Sequence, residues 1–332
     1  MNAGAKIYIA GHRGLAGSAI VRALERAGFS NLVLRSHSEL ELTDARAVSS
    51  FFQSERPEYV FLAAARVGGI LANDTYPADF IRENLSIQLN VVHEAWRANV
   101  QRLLFLGSSC IYPRDCPQPM KEEYLLTGPL EFTNRAYALA KIAGVEMCWS
   151  YNRQHGARFL AAMPTNLYGR GDHYDLNNSH VLPALIRKTH EAKQAGAKQV
   201  TLWGSGRPRR EFLFSDDLGE ACVFLMRRPD ASFDKLVAAA QAPLINVGAG
   251  ADQSITELAT LIAEVLGYHG EFVYDASKPD GTPRKLLDTS RLTGLGWKPR
   301  TTLREGVALA YGDFCRRFAT PSSATANVAR LA

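Results

Sequence analysis

An α/β fold, a doubly wound parallel sheet with a smaller C-terminal α/β lobe, is what the order of apolar segments in this chain predicts. Short, wholly apolar runs alternate with longer segments whose apolar residues recur at three-and-four spacing, and a glycine-rich turn separates the first run from the first such segment. Residues 7–10, 32–34, 59–65, 103–106 and 159–163 read as buried strands. Residues 15–27, 45–55, 78–100 and 137–155 read as helices, with Leu15, Ala19, Ala23 and Ala27 showing the spacing. Past Tyr168 a polar loop over 169–178 leads to a helix over 179–195 and a strand over 200–203, where the second lobe begins. A helix over 216–228 and a strand over 244–247 are expected to return to the main sheet. Ser254-x-x-Glu257 and Thr302-x-x-Glu305 have the reciprocal capping pattern that opens a helix.

These elements imply a cofactor unit of residues 1–168 plus about 212–248 and a ligand lobe of about 169–211 and 249–319. A frayed tail over 320–332, rich in Ala, Ser and Thr, is expected to follow. The 332-residue chain is 46% hydrophobic and 21% charged, which is a folded composition and excludes a disordered or fibrous one. Its net charge of +5 is spread among acids, so nucleic acid is not an expected partner and a small anionic ligand is. The five cysteines, at 110, 116, 148, 222 and 315, make no CxxC pair, so no metal is expected, and an odd count argues against a disulfide framework. No secretory h-region precedes Lys6-Ile7-Tyr8-Ile9-Ala10 and no apolar run reaches membrane-spanning length. A cytoplasmic protein without a membrane partner is the expectation.

Gly11-His12-Arg13-Gly14-Leu15-Ala16-Gly17 sits between the first strand and the first helix, the context that a Rossmann-type dinucleotide fingerprint requires. Glycines let the backbone approach a pyrophosphate, and the helix N-terminus offers unpaired N–H groups and a partial positive charge. NAD-selective sites place an acid at the end of the second strand. Here that end reads Leu34-Arg35-Ser36-His37. Arg35, with Arg13 in the glycine loop, suits a 2′-phosphate, so the expected cofactor is NADP(H).

Tyr137 and Lys141 are four apart and share one helix face, while Ser108 falls at the end of the fourth strand, where ligand crevices of open α/β sheets lie. A carbonyl reduced by hydride becomes an alkoxide that needs a proton. A tyrosine at its ordinary pKa of about 10 needs help to supply it near neutrality. Lys141 is expected to lower that pKa, and Ser108 to hydrogen-bond the carbonyl oxygen as charge develops.

The chain resembles the extended short-chain dehydrogenase/reductases and, within them, the GDP-L-fucose synthases, epimerase-reductases of GDP-4-keto-6-deoxymannose. The glycine loop carries the likeness, with Ala63-Ala64-Ala65-Arg66-Val67-Gly68-Gly69-Ile70 and the run from Asn73-Asp74-Thr75-Tyr76-Pro77 to Ile81. Further matching blocks are Leu106-Gly107-Ser108-Ser109-Cys110-Ile111-Tyr112-Pro113, Met163-Pro164-Thr165-Asn166-Leu167-Tyr168-Gly169, Asn178-Ser179-His180-Val181, and Ser277-Lys278-Pro279-Asp280-Gly281-Thr282-Pro283-Arg284-Lys285. The resemblance implies that Cys110 and His180 serve as base and acid for epimerisation at C3 and C5 before Ser108, Tyr137 and Lys141 support hydride transfer to C4. A thiol lowered beside cations and an imidazole are side chains able to exchange protons near neutral pH.

By the same likeness the cofactor lies along Gly11, Arg13, Gly14, Leu15, Gly17, Arg35, Ala63, Tyr137, Lys141, Pro164, Asn166, Leu167 and His180. Arg187, Arg210 and Lys285 meet the diphosphate and ribose of a GDP-linked keto-deoxy sugar, with Trp203 beside them. A homodimer through the helices over 78–100 and 137–155 is implied too. Two sites depart from the family, at three positions: Asn134-Arg135-Ala136 replaces the common Asn-Glu-Pro before Tyr137, and His37 replaces an Arg. His37 weakens the expected 2′-phosphate site, while Arg135 keeps open a 4-reductase or epimerase-reductase of a related sugar, such as a heptose or colitose precursor. In another class stands a non-catalytic cofactor-binding scaffold, against which the intact Ser108, Tyr137 and Lys141 weigh.

Overall fold

The structure, a computed structural model, describes residues 1–176, 179–238, 242–278 and 280–318. Asn178, Pro279 and the tail over 320–332 lie outside the described residues. The first half runs β1 (Ile7–Ala10), α1 (Leu15–Arg26), β2 (Leu32–Val33), α2 (Ala45–Glu55), β3 (Tyr59–Leu62), α3 (Ile70–Thr75), α4 (Pro77–Arg97), β4 (Arg102–Leu106), α5 (Arg135–His155) and β5 (Phe159–Pro164). After it come β6 (Asn166–Tyr168), α6 (Val181–Gln194), β7 (Gln199–Trp203), β8 (Arg209–Phe214), α7 (Ser215–Met226), α8 (Asp230–Val237) and β9 (Leu244–Val247). Then follow β10 (Asp252–Ser254), α9 (Ile255–Leu266), β11 (Glu271–Asp275), β12 (Arg284–Lys285), α10 (Ser290–Gly294) and α11 (Leu303–Phe318).

Six strands form one parallel sheet in the order β2-β1-β3-β4-β5-β9. Their near-continuous apolar sequence follows from burial on both faces, because alternate residues point into two different cores. Ile7, Ile9, Phe61, Leu104 and Leu160 pack with Ile20 and Leu24 of α1 and Leu218 and Cys222 of α7. Tyr8, Val60, Leu103, Phe105 and Phe159 pack on the opposite face with Val91 and Val92 of α4 and Ile142 and Val145 of α5. β2 and β3 flank β1 on opposite sides, so the chain reverses direction of build there. The crevice opens beyond the carboxyl ends of these strands.

The expected return of 244–247 is met: β9 pairs with β5 at the edge of the main sheet. Helix ends move by one to three residues, the largest shift being at α4, which ends at Arg97 rather than 100. α4 starts on Pro77 at a first-turn position that suits proline, and α6 starts at Val181 rather than 179. Both capping patterns form. Ser254 and Glu257 cap α9 reciprocally, and Thr302 and Glu305 do the same ahead of α11.

The sequence reading lacks β6, β8 and β10 to β12, and these build a second assembly. β8 lies between β10 and β12 and also pairs with β6, while β7 pairs with β11. Arg209, Arg210, Asp252, Arg284 and Lys285 in these strands hide them from any search for apolar runs. A third core, with Leu182, Ile186, Phe212, Phe214, Leu258, Ile262 and Phe314, holds them to α6, α9 and α11.

Candidate active site

A cleft of about 990 Å³ follows the crevice from the glycine loop to the start of α6. Gly11, Arg13, Gly14, Leu15, Gly17, Arg35, Ala63, Ser108, Tyr137, Lys141, Pro164, Asn166, Leu167 and His180 all line it. The glycine loop folds onto itself there: Gly14 N–H donates to Gly11 O at 3.0 Å, and a Cβ on Gly17 would overlap the Gly11 carbonyl. Gly14 caps α1 without a side chain, so the first amides of the helix are not blocked from within. A dinucleotide fits this cradle: a glycine turn at the pyrophosphate position, cations at one end and a hydroxyl, phenol and amine at the other.

The cations at the ribose end are not equivalent. Arg35 lines the cleft, yet its Nη2 pairs with Glu55 at 2.5 Å and its Nη1 donates to Leu34 O at 3.0 Å. His37 pairs with Glu41 at 2.6 Å. Arg13 is exposed and no ion pair engages it among the described residues. The cleft also takes in residues that strand-end logic passed over, among them His12, Ser36, Arg66 and Thr165. His12 has a buried Nδ1 with no partner, and burial lowers its pKa. Thr165 sits inside a block already quoted, immediately after β5, and its place at a strand end was the available signal.

β4 delivers Ser108 and the first two turns of α5 deliver Tyr137 and Lys141. The backbone leaves β4 through Gly107 into a 3₁₀ turn over Ser109–Ile111, for which the Ser108 hydroxyl accepts the Cys110 N–H at 3.4 Å. The Tyr137 ring meets Phe80 of α4 edge-on at 6.2 Å. Lys141 is 3% exposed, donates from Nζ to Leu106 O at 2.8 Å, and lies 4.7 Å from the Phe105 ring and 5.7 Å from the Tyr137 ring.

Electrostatics here differ from the sequence expectation. Burial pushes the Tyr137 phenol up, the neighbouring Cys110 adds to it, and only a hydrogen bond with Ser108 draws it down. Burial outweighs any help to the phenol, and it also takes the Lys141 ammonium down to about 8. The thiol expected to be lowered is instead raised. Cys110 is 9% exposed, and desolvation outweighs the pull of the Ser108 bond and of the Lys285 and Lys141 charges. His180, directly before α6, makes no side-chain capping bond; neighbouring atoms around its ring lower its pKa, although part of the residue stays exposed. Thiol and neutral imidazole are thus the forms that the site favours.

The four expected sugar-nucleotide residues lie outside the lining of this cleft. Arg187 on α6 pairs with Glu191 at 2.7 Å and donates to Tyr174 O at 3.0 Å. Arg210 donates to Thr282 O at 2.5 Å, and Lys285 stands opposite it in the β8/β12 register. Lys285 faces Cys110, Cys116 and Glu131, with burial lowering its pKa. Trp203 is 55% exposed, between Lys188 Nζ at 5.0 Å and Lys278 Nζ at 5.5 Å.

Comparison with known proteins agrees with the fold. The model of the NAD dependent epimerase/dehydratase family matches residues 7–239. GDP-L-fucose synthase 1 of Arabidopsis thaliana is 55% identical, covering 92% of this chain and 92% of its own. The GDP-L-fucose synthase of Escherichia coli K12 is 54% identical, covering 93% of this chain and 96% of its own. A GDP-mannoheptose C4 reductase from Campylobacter jejuni, solved with NADP bound, superposes with a TM-score of 0.86 at 42% identity, over 95% of this chain and 99% of that one. The chain therefore belongs to the NAD-dependent epimerase/dehydratase family and, inside it, to the GDP-L-fucose synthases.

Proposed function

We propose that this enzyme uses NADPH to convert GDP-4-keto-6-deoxy-D-mannose to GDP-L-fucose, by epimerisation at C3 and C5 and then reduction of the 4-keto group. The observation that carries the reading is the meeting of Ser108, Tyr137 and Lys141 on the lining of a dinucleotide cleft where β4 ends against α5, with Cys110, outside that lining, hydrogen-bonded to Ser108. Two relatives of more than half identity that bear the name GDP-L-fucose synthase support it.

NADPH, when bound, supplies hydride to C4. Gly11, Gly14, Leu15 and Gly17 bind its pyrophosphate region, Arg13 and Arg35 its 2′-phosphate, and Ala63, Pro164, Asn166, Leu167 and His180 the remainder. Ser108 donates to the ketone oxygen, and the same bond stabilises the enolate formed when a proton leaves C3 or C5, so one polarising group serves both reactions. Cys110 and His180 exchange those protons. For Cys110 to act as the base its thiol must first pass its proton to solvent water, and the Lys285 and Lys141 charges favour the thiolate that results. Tyr137, with its proton held firmly by burial, delivers it to the oxygen once alkoxide character develops, beside the Lys141 ammonium.

Arg187, Trp203, Arg210 and Lys285 hold the GDP moiety in this proposal. Residues 1–168 with about 212–248 form the cofactor unit, and about 169–211 with 249–319 the sugar-nucleotide lobe. Leu85 and Leu89 of α4 and Leu139 of α5 are exposed, which supports a homodimer through these helices. Five free thiols suit a reducing, cytoplasmic setting, and among the described residues no helix is long and apolar enough to cross a membrane.

Arg135, two residues before Tyr137, favours a second reading in which the sugar is a related GDP-4-keto-6-deoxy sugar such as a heptose. NMR of the product formed from each substrate with NADPH separates them. Formation of GDP-L-fucose supports the first, turnover of the heptose alone supports the second, and no NADPH oxidation with either removes both.

A further inference from the structure

Glu211 is wholly buried in the centre of β8, and no cation pairs with it among the described residues. A carboxylate so placed is costly unless its oxygens are satisfied. Backbone amides satisfy it. Oε1 accepts Gly250 N–H at 2.7 Å and Oε2 accepts Leu287 N–H at 3.0 Å. The Gly248 to Gly250 loop after β9 wraps closely enough that a Cβ on Gly248 would overlap Oε1. The main-chain oxygen of the same residue accepts Asn166 Nδ2 at 2.8 Å and Thr165 Oγ1 at 3.2 Å.

These bonds tie together four segments distant in sequence. Thr165 and Asn166 form one wall of the dinucleotide cleft. Leu287 lies two residues past the end of β12, the strand whose register with β8 sets Lys285 opposite Arg210. Arg210 is the chain neighbour of Glu211 itself. One residue therefore joins the cofactor wall, through its main chain, to the Arg210/Lys285 pair, through its side chain.

We propose that Glu211 is a positioning residue that fixes the Arg210/Lys285 pair for the diphosphate of the sugar nucleotide, at a set distance from the Asn166 wall. The inference rests on Arg210 and Lys285 holding that diphosphate. Both carboxylate oxygens accept N–H groups, which favour the charged form against the burial that raises its pKa. An amide in its place turns a donor toward one of those N–H groups and releases either the Gly250 loop or β12. The main-chain bonds to Asn166 and Thr165 survive that change, although the Thr165 hydroxyl also interacts with the carboxylate, so the sugar-nucleotide end is affected more than the cofactor end.

The test is a double-mutant cycle on the full-length enzyme, with GDP binding measured by calorimetry and NADPH binding by fluorescence. Glu211→Gln is expected to weaken GDP about tenfold, to change NADPH less than twofold, and to raise KM for the keto-sugar nucleotide more than it lowers kcat. Lys285→Ala alone is expected to weaken GDP about tenfold. The double variant should fall well short of the product of the two, because both changes act on one element. Multiplicative effects, or equal weakening of GDP and NADPH by Glu211→Gln, overturn the positioning role. No effect of Lys285→Ala overturns instead the reading on which it rests. If Glu211→Gln does not fold, Gly248→Ala displaces the same carboxylate by contact and must weaken GDP in the same selective way, failing which the proposal is lost.

Discussion

Two groups of polar residues in this enzyme are held in opposite ways. Ser108, Tyr137 and Lys141 stand on a strand end and a long helix, Lys141 buried and the other two half-buried, and make no ion pair among the described residues. Arg187, Arg210 and Trp203 stand on the second lobe and are already engaged, with Glu191, with Thr282 O, and with Lys188 and Lys278. The first group is finished before any ligand arrives, whereas the second must exchange protein partners for ligand oxygens. Chemistry at the strand end should thus be lost in large steps on substitution, and affinity at the second lobe in small ones.

The largest step is expected at Tyr137. Tyr137→Phe removes the proton donor and leaves the ring against Phe80 in place, so kcat for NADPH oxidation should fall about 10²- to 10⁴-fold with little change in thermal midpoint. Turnover at the wild-type rate would falsify the contrast at its strongest point. Cys110→Ser should come next. Exchange of the C3 and C5 hydrogens in deuterated water, followed by NMR, should slow about a hundredfold because a hydroxyl is a far weaker acid than a thiol. Undiminished exchange would transfer the proton-moving role to another residue.

The same contrast explains what could be read in advance. β1, β3, β4 and β5 were visible because a sheet buried on both faces needs continuous apolar runs. Ser108, Tyr137 and Lys141 were visible because strand ends and four-residue helical spacing are local geometry. β8, β10 and β12 were hidden because their side chains are spent on Arg209–Asp252 and Arg284–Asp252 pairs and on Glu211, partners up to 76 residues apart. Charge shifts were hidden for a related reason. Sequence shows Lys141 four residues from Tyr137, but only coordinates show that its ammonium is desolvated and bound to Leu106 O.

That desolvation sets a pH limit. With the Lys141 pKa lowered from its usual 10.5 to about 8, the ammonium is charged below about pH 8 and lost above it. The phenol, pushed up by burial, keeps its proton across this interval. Single-turnover reduction should therefore fall about tenfold per pH unit above about 8, as expected when one protonated group is required. Between 8 and 10.5 the unfolded chain binds more protons at this lysine than the folded one, so this group makes the fold more stable as pH rises. Loss of rate with a steady or rising thermal midpoint would show that the charge is at work, and a flat profile to pH 10 would assign the ammonium no part in turnover.

The smallest steps should separate the two arginines at the ribose end of the cleft, which differ in the way that the two larger groups do. Arg13 is free to meet a 2′-phosphate, while Arg35 must first leave Glu55, which Lys6 also holds at 2.7 Å. A charge-assisted bond to phosphate is worth about 1.5–3 kcal/mol, so Arg13→Ala should weaken NADPH roughly tenfold or more and leave NADH unchanged. Arg35→Ala removes a contact already partly spent on Glu55 and should cost about threefold at most. Fluorescence titration of both cofactors against both variants decides it. If Arg35→Ala costs more than Arg13→Ala, the Glu55 pair opens readily, and prior engagement is then no guide to which cations on the second lobe bind the sugar nucleotide.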